Sequence, residues 1–242
     1  AKAAGVVQIF TGADLAEAKV GGLPCGWLIH SKDGSPMKEP PHPVLAQGKV
    51  RHVGDQVALV VAETLLQANR ATKAIVNLPR PVVAVVQGPT AGVGVSLALA
   101  ADLVIASEKA FFLLAFTKIG LMPDGGASAL VAAAIGRARA MKMALLAERL
   151  PATDACEHGL IAAVYPPEEL AEEATKVIDR LLTGPAVAYA RTKSAINAAT
   201  LGDLDATLHR ETAGQYLLLD APDLDEGINA FQERRAPKFT DS

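Results

Sequence analysis

The chain has 242 residues, half of them hydrophobic, with a formal net charge of −3. This length suits one large or two modest domains with a substantial core. The Lys and Arg residues are scattered, which argues against a nucleic-acid or anionic-membrane surface. Two cysteines, Cys25 and Cys156, fit a reducing cytoplasm better than a disulfide scaffold. No signal peptide or membrane span is predicted, because the apolar runs are shorter than the ~20 residues that a spanning helix needs. We therefore expect a cytoplasmic protein without nucleic-acid or membrane partners.

The first 68 residues are irregular between two predicted strands. The strands are Val6–Phe10 and Val57–Val61, and a helix is predicted to start at Glu63. Between them, residues 19–49 are rich in Gly and Pro and show little periodicity. A loop of this length is usually functional or covers another part of the molecule.

From residue 69 onward, short apolar strands alternate with helices, which predicts an α/β fold. A helix ends at Leu78, before Pro79, and Pro81–Gln87 is a continuous apolar run typical of a strand buried on both faces. Thr153 is the predicted N-cap of a helix that stops at Gly159. The other predicted strands are Leu103–Ala106 and Ile161–Tyr165, and the predicted helices are Val93–Ala101, Ala127–Ala133, Ala138–Leu146, Asp154–His158, Leu170–Leu182, Ala186–Ala199, Leu204–Leu219 and Asp225–Arg235.

A glycine-rich turn precedes the helix that starts near Val93. Gly92 and Gly94 flank this residue, and the first N–H groups of a helix have no intrahelical partner. The helix dipole adds partial positive charge at the same place. The Val93 N–H is therefore a candidate donor to the developing oxyanion of a thioester. Small residues also allow close packing between helix and sheet, and the pattern alone leaves that alternative open.

Asp124 lies in the turn Pro123-Asp-Gly-Gly126. Asp in such a turn often does no more than bind its own backbone. Here an apolar stretch, Phe111–Phe116, precedes the turn and an Ala-rich helix follows it. We expect burial to raise the pKa of the Asp124 carboxyl toward the range of a working acid or base.

Other kinds of site find less support. The five histidines show no metal-ligand spacing, so no metal is expected. Ser96 lacks the G-x-S-x-G context of a hydrolase nucleophile. Arg234, Arg235 and Lys238 form a small basic tail, which is either solvated or in contact with a phosphate.

Residues 69–242 resemble the crotonase (enoyl-CoA hydratase/isomerase) superfamily along their whole length. The resemblance implies a ββα spiral, a C-terminal helical region that assembles homotrimers or hexamers, and an acyl-CoA thioester substrate. Coenzyme A enters only as part of that substrate, and no other cofactor is implied. The motifs that carry the resemblance are Leu78–Gly94, Ala101-Asp102, Phe116–Gly126, Gly136–Ala140, Ala155–Ile161, Glu226–Phe231 and Arg235–Phe239.

Two departures from the family pattern define a subgroup. Hydratases of the family carry glutamates where this chain has Ser96 and Phe116. The chain instead resembles enoyl-CoA and epoxyphenylacetyl-CoA isomerases, which have a single carboxylate at the position of Asp124. The resemblance implies that Asp124 moves a proton while the Val93 N–H binds the enolate oxygen. Thr11–Leu15 resembles the turn of the second oxyanion donor, which would be Ala13, and the family tail implies coenzyme A contacts from Phe231, Lys238 and Phe239.

The first 68 residues resemble a different family, the hammerhead domain of carbon monoxide and xanthine dehydrogenase large subunits. Gly5–Leu15, Pro43–Val57 and Val61–Thr64 carry this resemblance. We predict three regions: a hammerhead-like segment (1–68), a crotonase spiral core (69–182) and a helical region (183–242). The leading hypothesis is an enoyl-CoA isomerase. The alternatives are an enoyl-CoA hydratase, an inactive homologue that binds CoA esters, and a molybdenum hydroxylase subunit, for which the cofactor loops are missing.

Overall fold

The computed structural model describes residues 6–11, 17, 58–62 and 65–240. The chain divides into two compact units, Ala1–Thr64 and Leu65–Ser242. In the first unit, strands β1 (Val6–Thr11) and β2 (Ala58–Ala62) pair in antiparallel fashion. Both lie within one residue of their predicted positions. The irregular segment 19–49 lies outside the described residues, and the predicted region boundaries at residues 68 and 182 stay predictions.

The second unit alternates strands with helices, which confirms the predicted α/β class. Its strands are β3 (Val83–Val86), β4 (Pro89–Ala91), β5 (Leu103–Ser107), β6 (Phe111–Leu113), β7 (Leu150–Pro151) and β8 (Ala163–Tyr165). Its helices are α1 (Leu65–Asn77), α2 (Val93–Leu99), α3 (Ala127–Leu146), α4 (Ala152–Glu157), α5 (Leu170–Leu182), α6 (Ala186–Thr200), α7 (Leu204–Leu219) and α8 (Pro222–Gln232), with a 3-10 turn at Phe116–Ile119. None of the helices in the described ranges is long and apolar enough to cross a membrane.

Two three-stranded sheets form the framework of this unit. One is parallel with the order β3-β5-β8, and the other has the order β4-β6-β7. The prediction that Pro81–Gln87 is a strand buried on both faces is wrong. Only Val83–Val86 is extended, and its four residues are half-buried. The reason is its edge position in the described sheet, whereas the central strand β5 has four buried residues.

The main core cluster lies between the sheets and helices α2 and α3. Val95 of α2 belongs to this cluster together with apolar residues from β5, β6 and α3, among them Phe112 and Val131. The Phe112 side chain is fully buried, and burial of such a side chain contributes about 1.5–3 kcal/mol. This packing fixes the starts of α2 and α3 relative to each other.

Helix α3 is kinked at Gly136, whose backbone (φ 76°, ψ 161°) is not helical. A residue with a Cβ atom is strained at such a φ, whereas glycine is not. The two predicted helices, Ala127–Ala133 and Ala138–Leu146, correspond to the two arms of α3.

The helix start predicted at Glu63 lies outside the described residues, and two other helix starts differ from their predictions. Thr153 is not an N-cap, because α4 already begins at Ala152, whose N–H donates to the Ala110 carbonyl. A tertiary hydrogen bond thus fixes this start in place of the threonine hydroxyl. Helix α8 begins at Pro222, three residues before the prediction, with a proline in the first turn where its missing N–H costs nothing.

An ion pair between the buried Lys193 of α6 and the more exposed Asp102 joins this helix to neighbouring loops. Lys193 is only 8% exposed, and its Nζ donates to Asp102 Oδ2 at 2.8 Å. It also donates to the Ile75 carbonyl at 2.9 Å and to the Arg80 carbonyl at 3.3 Å. Asp102 Oδ2 accepts the Val82 N–H at 2.7 Å. One ammonium group therefore connects the end of α1, the entry to β3 and the loop before β5.

We expect Lys193→Met to lower the free energy of unfolding by about 1–3 kcal/mol, because it leaves the Ile75 and Arg80 carbonyls and the Asp102 carboxylate without their cationic donor. Urea denaturation measures this change. The matched control is Lys176→Met, since Lys176 pairs with Glu172 and Glu173 on an exposed helix face where ion pairs contribute little. Equal losses in the two variants would contradict a structural role for the Lys193 pair.

Candidate active site

The turn before α3 places Asp124 beside the start of α2. Gly125 and Gly126, which follow it, have φ angles of 67° and 91°. A Cβ atom on Gly125 would lie 3.0 Å from Val93 Cγ2 and 3.1 Å from Ser96 Cβ. Glycine is therefore needed twice over, for its positive φ and for the close approach to α2. The turn brings together two of the predicted site residues, Asp124 and Val93.

Val93 is the first residue of α2 and follows Gly92, whose φ is 56°. The Gly92 carbonyl already accepts the Val95 N–H, whereas the Val93 N–H belongs to the first helical turn, which has no intrahelical acceptors. The Phe116 ring lies 3.7 Å from the position of a Cβ atom on Gly92. The helix start thus combines an available backbone donor with an aromatic wall.

Two hydroxyl groups hold the backbone of the turn. Ser96 is fully buried, and its Oγ donates to the Asp124 carbonyl at 2.7 Å. Thr72 Oγ1 donates to the Gly125 carbonyl at 2.9 Å. Ser96, which the sequence excluded as a hydrolase nucleophile, therefore has a role in positioning the turn.

The Asp124 side chain is buried, with 8% of its surface exposed. Its Oδ2 accepts a hydrogen bond from Gln215 Nε2 at 2.9 Å, and no described group hydrogen-bonds to Oδ1. Burial raises the pKa of the Asp124 carboxyl, and the Gln215 hydrogen bond partly opposes that rise. The environment thus favours a carboxyl group that exchanges its proton closer to neutral pH than an ordinary aspartate does.

Glu211 is a second buried carboxyl group, 1% exposed, on the helix that carries Gln215. Its two oxygens accept the N–H groups of Gly126 (2.7 Å) and Ser128 (2.9 Å) at the start of α3. A carboxylate is favourable there because the helix dipole is positive at its N-terminus. Burial raises the pKa of Glu211, and these hydrogen bonds work against the rise. Both of its oxygens are engaged, so Glu211 holds the turn in place.

Sequence reasoning missed Glu211 and Gln215. They lie four residues apart on α7, on one face of the helix. The helix carries other polar residues as well, among them Asp205, His209 and Arg210, so this spacing alone did not single out the pair.

The predicted coenzyme A residues lie at the C-terminal end. Phe231 on α8 is 79% exposed, and Lys238 and Phe239 follow the helix. Glu226 binds Arg235 through both carboxylate oxygens (2.5 and 2.8 Å) and accepts the Lys238 N–H at 2.7 Å. These interactions lower the pKa of Glu226 to about 2. Lys238 lines a cavity of about 420 Å³ with Glu226 and Arg235, and none of the described contacts joins these residues to Asp124.

Ala13, the predicted second oxyanion donor, lies outside the described residues, so its assignment stays a prediction. Within the described ranges, no group of three His, Cys, Asp or Glu side chains is arranged to hold a metal ion. A larger cavity of about 690 Å³ lies between the end of α1 and helices α6 and α7. Asp124 and Val93 do not line it, so its size alone does not make it the reaction site.

Comparison with known proteins identifies two sequence families in the chain. The family "Enoyl-CoA hydratase/isomerase" matches residues 60–242. The family "Aldehyde oxidase and xanthine dehydrogenase, a/b hammerhead domain" matches residues 1–77. Both predicted resemblances are therefore confirmed, and the two matches overlap at residues 60–77.

Individual relatives carry both isomerase and hydratase names. The chain is 41% identical over 172 residues to the 1,2-epoxyphenylacetyl-CoA isomerase of Escherichia coli, covering 71% of this chain and 66% of that protein. It is 43% identical to a probable enoyl-CoA hydratase of Rhodobacter capsulatus, with coverage of 74% and 67%. The chain thus spans about two thirds of the length of these relatives.

A solved structure supports the fold. The enoyl-CoA hydratase from Mycobacterium avium subsp. paratuberculosis is 68% identical, with a TM-score of 0.72, covering 73% of this chain and 72% of that one. With the described alternation of strands and helices, this likeness confirms the predicted crotonase fold and its C-terminal helices.

We expect Asp124→Asn to increase the free energy of unfolding at pH 7. A carboxyl whose pKa is higher in the folded than in the unfolded protein destabilises the fold once it is ionised. The cost is absent below the unfolded pKa of ~3.8 and complete above the folded pKa. The stability gain of the variant should therefore disappear as the pH falls through this range.

Urea denaturation at several pH values measures this difference, with Asp179→Asn, on the exposed face of α5, as the control. A variant that is less stable than the wild type at pH 7 would show that Asp124 contributes a favourable charge to the fold.

Proposed function

The chain belongs to the enoyl-CoA hydratase/isomerase family, and on this premise we propose that it isomerises the acyl group of an acyl-CoA thioester with Asp124 as its single base. Enoyl-CoA and epoxyphenylacetyl-CoA thioesters are the candidate substrates. The observation that carries the proposal is a buried carboxyl group beside the N-terminus of α2, one oxygen of which accepts no hydrogen bond from the described residues.

For an enoyl-CoA substrate, Asp124 Oδ1 takes a proton from the carbon alpha or gamma to the thioester carbonyl. The electron pair of the broken C–H bond moves toward the carbonyl oxygen and forms an enolate, which accepts the Val93 N–H. The enolate then collapses, and Asp124 returns the proton to the other carbon. The double bond moves, the carboxylate is regenerated, and no redox partner is required.

Two properties of the site support this chemistry. A base is most effective when its pKa lies near the working pH, and burial shifts the pKa of Asp124 upward in that direction. An N–H donor at a helix start stabilises negative charge that develops on the substrate, and one such donor typically contributes about 2.7–4 kcal/mol. Asp124 and Val93 supply these two functions from adjacent elements.

The surroundings favour an isomerase over a hydratase. Water addition in the family uses two carboxylates, and Ser96 and Phe116 occupy the corresponding positions here. The Ser96 hydroxyl is bound to the Asp124 carbonyl, and Phe116 offers only an apolar ring beside Gly92. Glu211 does not replace the missing glutamates, because both of its oxygens accept backbone N–H groups.

Substrate binding and assembly follow the family pattern in this proposal. Phe231, Lys238 and Phe239 would contact the nucleotide portion of coenzyme A, with Ala13 as the second oxyanion donor. The exposed Phe231 ring and the backbone bond that holds Lys238 near Glu226 support this assignment. Assembly as a homotrimer or hexamer and the cytoplasmic location stay predictions.

We expect Asp124→Asn to reduce the rate of 3-enoyl-CoA isomerisation about 10²–10⁴-fold, the usual contribution of a general base. The assay incubates the protein with 3-enoyl-CoA in D2O and follows both formation of the conjugated product and deuterium incorporation at the alpha carbon. Asp179→Asn is the control. Undiminished isomerisation in Asp124→Asn would overturn the assignment of the base.

The Val93 donor can be tested by removing its hydrogen atom. Proline is tolerated at the first position of a helix, which Val93 occupies, so Val93→Pro deletes the N–H while keeping a helix start. We expect kcat to fall about 10²–10³-fold, as for the loss of one oxyanion donor. Val93→Ala, which keeps the N–H, should change kcat little. Similar losses in both variants would indicate that the side chain matters and the donor does not.

A second candidate function is binding of CoA esters without turnover. It is favoured by the match of residues 1–77 to a different family and by the limited coverage of the relatives. Binding of an acyl-CoA without isomerisation or deuterium exchange in the wild-type protein would select this alternative.

A further inference from the structure

We propose that Gln215 is a positioning residue for the Asp124 base, because its amide group holds Oδ2 and leaves Oδ1 for the substrate. This inference rests on the proposed function of Asp124 and extends it to the residue that orients the base. Gln215 is 3% exposed and lies on α7, 91 residues along the chain from Asp124.

The orientation of the Gln215 amide follows from its second partner. Its Oε1 accepts the Met122 N–H at 3.3 Å, and its Nε2 donates to Asp124 Oδ2 at 2.9 Å. A backbone N–H is only a donor, so the atom that faces Met122 must be the amide oxygen. The NH₂ group is therefore directed at Asp124. Rotating the amide by half a turn would place its oxygen against the Asp124 carboxylate and its NH₂ group against the Met122 N–H, and both contacts would be unfavourable.

Two other residues of helix α7, Glu211 and Gly214, help to hold the Gln215 amide against the turn. Glu211, one helical turn before Gln215, accepts the N–H groups of Gly126 and Ser128. Beside Gln215, a Cβ atom on Gly214 would lie 2.2 Å from Met122 Sδ, so the absence of a side chain there leaves room for the Met122 thioether. The donor thus comes from a packed helix, and its direction is restricted before substrate binds.

The hydrogen bond also acts on the charge of the base. Glu211 is the titratable group that faces Asp124 from α7, and the charge of Asp124 contributes to the raised pKa of Glu211. The neighbouring groups from α1 and α2, the hydroxyls of Thr72 and Ser96, donate to backbone carbonyls and not to the carboxylate. Within the described part of the chain, Gln215 is thus the side chain that donates to Asp124, and it favours the ionised form that accepts a substrate proton.

Two variants separate this role from simple packing. Gln215→Met has a similar length and removes both the donor and the acceptor. Gln215→Glu keeps an acceptor for the Met122 N–H and replaces the donor with a second carboxyl group, which must share a proton with Asp124. Gln232→Met makes the same change as the first variant at an exposed glutamine on α8 and serves as the matched control.

The first readout is the pKa of Asp124, measured from the side-chain carboxyl signals of the protein labelled with ¹³C-aspartate. The Asp124→Asn spectrum assigns the signal. We expect Gln215→Met to raise this pKa by about one pH unit, the scale of a hydrogen bond to a charged group. Gln215→Glu should raise it at least as far, and Gln232→Met should leave it unchanged.

The second readout is the pH dependence of kcat/KM for 3-enoyl-CoA isomerisation. The acidic limb should move upward by the same amount in Gln215→Met, and activity above this limb should stay lower because Oδ1 is less well directed. An unchanged Asp124 pKa and an unmoved limb in folded Gln215→Met would overturn the proposal. If that variant does not fold, the same outcome in Gln215→Glu, which keeps the Met122 contact, would overturn it.

These measurements distinguish two kinds of failure. If Gln215→Met raises the pKa of Asp124 but the wild-type protein isomerises no acyl-CoA, the proposed function is removed. Gln215 then remains the group that sets the pKa of the Asp124 carboxyl. Isomerisation that depends on Asp124 but not on Gln215, with equal pKa values in wild type and Gln215→Met, would remove the positioning role alone.

Discussion

The close approach of the Asp124 turn to the start of α2 is the constraint on which the site depends. It requires two successive glycines, because both have a positive φ and because a Cβ atom on Gly125 would press on Val93 and Ser96. The approach places a carboxyl group beside a helix start, the two parts that proton transfer next to a thioester needs. It also buries the carboxyl group, so the geometry of the turn and the altered pKa of Asp124 have the same origin.

Two carboxyl groups, Asp124 in the turn and Glu211 of α7, are buried close together. Their burial would be costly unless hydrogen bonds offset the loss of hydration. The structure offsets this cost unequally. Glu211 accepts two backbone N–H groups at the positive end of α3, and both of its oxygens are occupied. Among the described residues, Asp124 accepts one side-chain donor, and its other oxygen has no hydrogen bond. This asymmetry supports a structural role for the glutamate and the proposed role of the aspartate as a base, because a carboxyl oxygen without a fixed partner is available to take a proton from a substrate.

Much of the second unit was predictable from its sequence, and the errors have physical causes. The bounds of α5 match their prediction because a strong helical periodicity of apolar residues determines them locally. The bounds of α7 match as well, although its apolar residues show little periodicity. The burial of β3 was wrong because a continuous apolar run does not show which strands lie at the edge of a sheet. The Thr153 cap was wrong because a tertiary bond from Ala152 starts α4. Gln215 and Glu211 were missed because their partners lie 83 to 93 residues away in sequence, where local patterns carry no information. Motifs indicated Asp124 and Val93, whereas the residues that tune them required the structure.

The two ends of the chain match different families, and the described contacts around Asp124 lie within one of these two matches. The contacts described for Asp124 and its turn come from α1, α2 and α7, all within the second unit. Residues 60–242, which match the enoyl-CoA hydratase/isomerase family, include the whole set. Among the described residues, the contacts that fix Asp124, Gln215 and Val93 relative to one another therefore all come from residues 65–240. Proton transfer needs these groups in a fixed arrangement, whereas the choice of acyl group depends on whatever shapes the rest of the pocket. In the proposed isomerase, the match of residues 1–77 to another family therefore bears on the choice of acyl group more than on the proton transfer.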